Sequence, residues 1–309
     1  MVQSPVLFIT FSRPEYARQT WEGIKLAQPK VLYFYSNKAR TDRVEEQERN
    51  NEIRSYITEI NWDCDLHLFF QEEYVDIYTS LRSAISWLFD NENEGIILEE
   101  DCVPTMAFFS FCDQMLSYYR DEQKVWCISG DNYLDYSPKE IDYFFSHSHF
   151  MFGWATWANR WNQIPWDNIP VTELCESDLE SFYQSKSEAR KRRRDLKTCM
   201  KLIQEKKCWD YAWGVVIDIY KGVTILPNRH LVTCVGLTGT HSKLAKKTLF
   251  HKSANPNDDV YNIENHPKVI EADLNYDHEL AKECEKYSRL HNRIIRRLYA
   301  IIARLFNWM

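Results

Sequence analysis

The sequence contains no uninterrupted apolar run near the roughly 18 residues that would cross a bilayer, because charges break every candidate sooner. It has no internal repeat, no low-complexity linker and no CxxC pair at zinc spacing among its nine cysteines. The opening "MVQSPVLFITF" lacks a basic n-region, so secretion is not expected and the cysteines read as reduced thiols in a cytoplasm. A strong excess of one charge is also missing. With 38 basic and 45 acidic residues the formal charge is -7, which argues against a general nucleic-acid binder and for small-molecule partners. What is present is a chain of 309 residues, 44% hydrophobic and 15% aromatic, enough to bury one large core. One elaborated domain is expected.

Strand and helix patterns alternate along the first 125 residues. An apolar run from Val6 to Phe11 and a polar turn at Ser12 to Pro14 lead into a helix carrying Tyr16, Thr20 and Ile24. Then come "KVLYFYSN" as a strand, "RVEEQERNNEIRSYI" as a charged helix, "DLHLFFQ" as a strand and "TSLRSAISWLFDN" as a helix. Such alternation predicts a mostly parallel sheet with helices on both faces. Beyond about residue 125 the pattern changes to the short strands "VWCISG" and "YFFSHSHFMFGWATW", a polar helical stretch, and a helix and strand in "WDYAWGVVIDIYKGVTILP". A nucleotide-facing half fused to an acceptor-facing half is expected, with no autonomous boundary.

In parallel sheets ligands bind beyond the carboxyl ends of the strands, so Thr10 to Arg13, Ser36 to Lys38 and Glu99 to Asp101 are predicted to share one rim. The last of these stands in "GIILEEDCVP", where Ile96, Ile97 and Leu98 read as a core strand ending in three carboxylates. Such a triplet is either a solvated surface feature or a divalent-metal site. Carboxylates this close repel one another, and a site that keeps them ionised usually supplies a cation; oxygen ligands suit Mn²⁺ or Mg²⁺.

Other motifs carry two readings each. "FMFGWATWANRW" is either a core hairpin or, through Trp154 beside the permissive Gly153, a wall for a sugar ring. "CWDYAWGV" sets Asp210 between Trp209 and Tyr211 at a helix start, as an N-cap or as a partly desolvated general base. His241 in "GLTGTHS" is a metal or phosphate ligand, or a polar loop residue. "ARKRRRD" reads as a solvated helix face and not a nucleic-acid site. In the tail, Leu290, Ile294, Leu298, Ile301, Leu305 and Trp308 form one stripe with arginines mostly elsewhere, a basic amphipathic helix over about 285–309. That helix would dock on the protein's own core, on a partner or on an anionic membrane.

The order of these motifs resembles the GT-A fold glycosyltransferases, most closely the N-acetylglucosaminyltransferase I type and its bacterial relatives. The matching segments are "ITFSRP", "YTSLRSAISWLF", "IILEEDCVP", "FGWATW" and "CWDYAW", together covering about residues 5 to 245. The resemblance implies a catalytic domain over 1–245, with its halves meeting near 125, and a C-terminal extension over 246–309. It implies Asp101 as metal ligand and Asp210 as catalytic base, while His241, by its place after a glycine-rich turn, is a second metal candidate. Glu99 and Glu100 would lie near the metal and the ribose, with Thr10, Ser12, Arg13, Ser36 and Arg82 toward the nucleotide and Gly153, Trp154 and Trp209 toward the acceptor sugar. Two departures stand out: the triplet begins Glu-Glu where the family has Glu-Asp, and Tyr211 occupies a position where a second aspartate can occur.

The implied activity is metal-dependent transfer of a sugar from a nucleotide-diphosphate donor, a uridine nucleotide favoured, to a saccharide or lipid-linked acceptor. The expected stereochemistry is inversion and the expected setting bacterial polysaccharide or glycoconjugate synthesis, in the cytoplasm or peripheral at the inner face of the membrane. Two other readings stay open. One is a carbohydrate-binding protein without turnover. The other is a sugar-phosphate nucleotidyltransferase, which normally needs a glycine-rich phosphate loop that "FITFSRPEYARQ" lacks.

Overall fold

A computed structural model describes residues 2–166, 168–169, 179–205, 209–236 and 249–286. His241 and the stretch 287–309, which holds most of the expected amphipathic helix, lie outside the described residues. Strands β1 (Val6–Thr10), β2 (Val31–Ser36), β3 (Asp65–Phe70) and β4 (Glu94–Glu99) alternate with helices α1 (Pro14–Ala27), α2 (Val44–Arg54) and α3 (Ile77–Phe89). Next come β5 (Cys102–Pro104), α4 (Met106–Tyr118), β6 (Val125–Ser129), β7 (Tyr143–Ser146) and β8 (Trp154–Trp157). After them follow α5 (Lys186–Gln204), α6 (Trp209–Ile219), β9 (Val223–Pro227), β10 (Val232–Cys234) and a helix over residues 274–286.

The fold is mixed α/β. Eight strands form one sheet in the order β3-β2-β1-β4-β8-β6-β9-β7, and β5 pairs with β10 in a separate ribbon. β1 to β4 run parallel, β8 is antiparallel to both β4 and β6, β9 is parallel to β6, and β7 closes the edge antiparallel. The strand order reverses at β1, which has β2 on one side and β4 on the other, and that switch point opens a crevice above the carboxyl ends of the two central strands. The sheet continues through the β4–β8 pairing, so both halves of the chain share it.

Alternation along each strand fills both faces. Val6, Phe8, Phe34 and Leu98 pack with Trp21, Ile24 and Phe108, while Leu7, Ile9, Tyr35 and Ile97 pack with Leu81, Ile85 and Trp213. Burying a side chain of this size contributes roughly 1.5–3 kcal/mol before entropy is counted. Local signals set the helix starts: Pro14 occupies the first turn of α1, where its missing N–H costs nothing, and the side chains of Asp76, Thr105 and Ser185 cap α3, α4 and α5.

The segment "FMFGWATWANRW" does not form a hairpin, and the strand pattern "YFFSHSHFMFGWATW" that contains its first half is split in two. Its first part, β7, lies at the sheet edge beside β9, and its second, β8, inserts between β4 and β6. No helix among the described residues is long and apolar enough to cross a membrane.

Candidate functional site

The parallel strands deliver three loops to one rim. After β1, Phe11 N donates to Glu100 Oε2 at 2.7 Å and Arg13 Nε donates to Glu100 Oε1 at 2.6 Å. Arg13 Nη2 reaches Asp101 Oδ2 at 3.0 Å, so one guanidinium bridges two of the three carboxylates. From α1, Thr20 Oγ1 donates to the Glu100 carbonyl oxygen at 3.0 Å, which fixes the backbone of the triplet. Burial pushes the Glu100 carboxyl up and Arg13 opposes it. Desolvation works against the charged form of Arg13, yet Asp101 and Glu100 outweigh it and hold the guanidinium above its ordinary value.

Glu99 sits differently, half-buried at the end of β4. Burial raises its carboxyl well above the usual range, Asp101 adds to the rise, Arg13 pulls the other way, and Asp210 contributes a further like charge. Asp101 is wedged: its carbonyl oxygen accepts from Val235 N at 2.9 Å, and a Cβ placed on Gly236 would come 2.1 Å from Asp101 Oδ2. Only glycine lets the segment after β10 pass this close to the carboxylate.

The rim opens into a cleft of about 460 Å³ whose lining includes Thr10, Ser12, Arg13, Glu99, Glu100 and Asp101. Its far end carries Asn37, Arg40 and Tyr74, with the Phe11 and Tyr74 rings 6.0 Å apart and the Arg40 guanidinium 5.2 Å from the Tyr74 centroid. The loop after β2 is held from beneath. Asn50 Nδ2 donates to the carbonyl oxygens of Phe11 and Asn37 and to Ser36 Oγ, and Arg54 donates to Ser36 and to the Asn37 and Gln71 carbonyls. Ser36 is therefore fully buried under the cleft and does not line it. Thr10 is also mostly a structural contact, its Oγ1 donating to the Tyr35 carbonyl at 3.0 Å. Arg82 lies apart from the cleft, over the Trp166 ring at 5.3 Å.

A second pocket of about 310 Å³ lies over α6 and includes Asp210, Tyr211, His147, His149, Tyr183 and Asp277 in its walls. Asp210 stands in the first turn of α6, where burial pushes its carboxyl up and backbone N–H groups of that turn oppose the rise. His149 donates or accepts at Thr224 Oγ1 (2.7 Å) and Asp218 Oδ1 (3.2 Å), and Arg192 closes the network on Asp218 Oδ2 at 2.6 Å. Against burial, Arg192 and His149 hold the Asp218 carboxyl down to about 2. Burial, with His149 adding, drives the His147 imidazole down to about 4.

The expected aromatic sugar wall lies in the interior instead. Trp154 is fully buried with ring centroids 5.9 Å from Trp209, 5.7 Å from Trp213 and 6.4 Å from Trp161, and Trp209 is only 6% exposed. A ring with no free face cannot stack on a sugar, so these residues support α6 on the sheet and the core reading accounts for them. Gly153 adopts φ +89, a left-handed conformation, and its carbonyl oxygen accepts from Gly130 N at 3.0 Å; a Cβ there would strike Val232. The exposed aromatics at the pockets are Tyr74 and Tyr211. Tyr74, Arg40, Asn50 and Arg54 escaped the sequence reading. Tyr74 had one usable signal, an aromatic residue in a polar loop directly after a parallel strand.

Among the described residues no group of three or more His, Cys, Asp or Glu side chains is gathered as a metal cage. The donor set still suits a divalent ion shared with a ligand. Glu100 and Asp101 share one guanidinium and Asp101 acts as a like charge on Glu99 beside it, a charge imbalance that a cation would relieve, and Mg²⁺ or Mn²⁺ commonly takes one or two carboxylates with phosphate oxygens completing the shell.

No family model matches the chain, and no curated protein gives a significant match. Solved structures are similar only weakly. An apo UDP-glucose pyrophosphorylase aligns at 10% identity over 74% of this chain and 90% of its own, with a TM-score of 0.33. HddC from Yersinia pseudotuberculosis aligns at 8% identity over 53% of this chain and 80% of its own, with a TM-score of 0.30. The 4-diphosphocytidyl-2C-methyl-D-erythritol synthase from Anaerococcus prevotii aligns at 6% identity over 51% and 71%, with a TM-score of 0.29. Likeness at this level fixes no activity for this chain.

Proposed function

We propose that the chain is a metal-dependent glycosyltransferase of the GT-A type, moving a sugar from a nucleoside diphosphate to an acceptor hydroxyl with inversion. The observation that carries the reading is that Glu99, in the cleft lined by Arg13 and the carboxylate triplet at the sheet's switch point, feels as a like charge Asp210, which lines the second pocket. Donor and acceptor need groups placed within reach of each other, with a charge-stabilising group on one side and a base on the other.

The nucleoside would lie between the β1 and β2 loops, where Phe11 and Tyr74 offer ring faces and Asn37 and Arg40 polar groups. Asp101, with His241 as a second candidate, would hold Mn²⁺ or Mg²⁺, which supplies Lewis-acid stabilisation of the leaving β-phosphate. Arg13 orients Asp101 and presents a fixed positive charge beside the same phosphates. Asp210 would accept the acceptor hydroxyl proton from the face opposite the leaving group, and burial, which raises its carboxyl, makes it a stronger base than an exposed aspartate. The basic tail beyond residue 286 would bring the enzyme to an anionic membrane and a lipid-linked acceptor; flotation with anionic vesicles, lost on truncation at residue 288, tests that part.

Nucleotidyl transfer is the second reading. The turn Phe11-Ser12-Arg13 before Pro14 offers no glycine-rich cradle for a triphosphate, which favours the first. Incubating the protein with a panel of nucleotide sugars and Mn²⁺ should release nucleoside diphosphate slowly from one donor. Pyrophosphate formed from a nucleoside triphosphate and a sugar 1-phosphate, with no donor hydrolysis, would replace the proposal by the second reading; metal-independent sugar binding without either reaction would indicate a binding protein.

A further inference from the structure

Cys102 and Cys234 face each other across the β5–β10 ribbon. The hydrogen bonds flank this pair: Val235 N donates to the Asp101 carbonyl at 2.9 Å, and further along Thr105 N donates to the Leu231 carbonyl at 3.0 Å. That phase makes Cys102 and Cys234 a non-hydrogen-bonded antiparallel pair, the narrow kind with Cα atoms about 4.5 Å apart and side chains on one face. A disulfide spans Cα separations of about 4.4–6.8 Å, so the backbone already permits one. Both cysteines are free thiols. The Cys102 Sγ donates to Asp101 Oδ1 at 3.8 Å, and Cys234 stands two residues before Gly236, the glycine against which the Asp101 carboxylate is wedged.

We propose that Cys102 and Cys234 form an oxidative modification site, closing a reversible cross-strand disulfide that resets the Asp101 carboxylate. With hydrogen peroxide as oxidant, the Cys234 sulfur takes up one oxygen as a sulfenic acid and one water leaves. The Cys102 sulfur then displaces that oxygen as a second water, and the S–S bond forms. Both thiol protons depart in the waters, and peroxide gains the two electrons. A dithiol reverses the step by exchange. Cys234, at 9% exposure, is the more accessible of the two, against 1% for Cys102. Burial keeps both thiols protonated and the reaction slow, as befits a pair that stays reduced unless peroxide accumulates. Closure turns the Cys102 sulfur toward Cys234 and away from Asp101, removing the contact behind the carboxylate. The consequence for ligand binding rests on the metal role proposed for Asp101.

The test uses the full chain treated with peroxide, its remaining thiols alkylated, then digested without reductant for mass spectrometry. A peptide linking Cys102 to Cys234, lost on adding dithiothreitol, is expected. Oxidised protein should bind UDP in the presence of Mn²⁺ about 10-fold or more weakly, the scale of losing a contact behind a metal ligand, and dithiothreitol should restore it. Cys234→Ser should keep reduced-state affinity after peroxide, with Cys234→Ala as a second variant should serine disturb the strand. Oxidation elsewhere without the linked peptide, a linked peptide with unchanged UDP affinity, or equal sensitivity of both variants would overturn the proposal. Reduced wild type that binds no UDP with Mn²⁺ would overturn the glycosyltransferase reading and the control ascribed to the pair, while the linked peptide would still decide the disulfide.

Discussion

The cleft over β1 and β4 and the pocket over α6 are assembled in opposite ways. In the cleft, Thr10, Phe11, Arg13, Glu99, Glu100 and Asp101 all lie within three residues of the end of a parallel strand, and backbone pairing alone brings them together. In the pocket, Asp210 comes from a helix start, His149 from the loop after β7, and Asp277 from the helix over 274–286; side-chain hydrogen bonds across 69 to 131 residues gather the network around them. A site built on strand ends is rigid by construction. One built on long-range polar contacts can change its lining without disturbing the sheet, which suits an acceptor site facing a common donor site.

The sharpest way to break this contrast is to remove Asp101. Asp101→Ala should abolish Mn²⁺-dependent UDP binding in calorimetry and leave the thermal midpoint close to wild type, because the side chain stands at the rim outside both cores. Wild-type affinity in that variant would disprove the metal role. Next in size, Asp210→Asn should leave UDP affinity unchanged while lowering kcat by roughly 10²- to 10⁴-fold, since the amide keeps the shape but takes no proton. Loss of UDP affinity instead would mean that the two pockets are one functional unit.

Stability should divide the halves too. Glu100 is 4% exposed and takes bonds from Arg13 and Phe11, so Glu100→Gln should cost about 2–3 kcal/mol in urea unfolding by weakening a charge-assisted pair. Asp210→Asn should cost less than about 1 kcal/mol in the same measurement, as expected at a helix start where an amide still caps. Equal costs would erase the distinction between a scaffolded rim and an adaptable pocket.

Legibility followed the same division. The alternation in "PVLFIT", "KVLYFYSN" and "GIILEE" made the parallel core readable, and the strand-end rule then put Arg13 and the triplet together without any knowledge of side chains. The splitting of β7 from β8 was not readable, because which neighbours a short strand takes is set by tertiary pairing and not by its own pattern. Ser36 and Trp154 share a physical reason for their misplacement. Sequence position brings a residue to a rim or a cluster, but the side chain's direction depends on partners such as Asn50, Arg54 and Trp213, all distant in the chain. Asp277 had no signal at all, being one acidic residue in a polar helix whose role depends on the loop it meets.

The smallest expected effect sharpens the comparison through pH. Asp277 accepts from Ser146 Oγ, from His147 N at 2.9 Å and from Ser148 Oγ at 3.2 Å, yet burial outweighs these bonds and pushes its carboxyl up to about 6 from 3.8. The folded state therefore binds this proton more tightly than the unfolded chain. Its contribution to stability is complete below pH 3.8 and is lost as the pH rises through about 6. Urea unfolding followed from pH 4 to pH 7 should show Asp277→Asn gaining stability relative to wild type as the pH rises, by on the order of 1–2 kcal/mol across the interval. His147, lowered to about 4, acts with the opposite sign in the same range, so the difference between variant and wild type, and not the wild-type slope, isolates Asp277. Parallel profiles for the two proteins would mean that the Asp277 carboxyl is solvated and that its surroundings do not raise it.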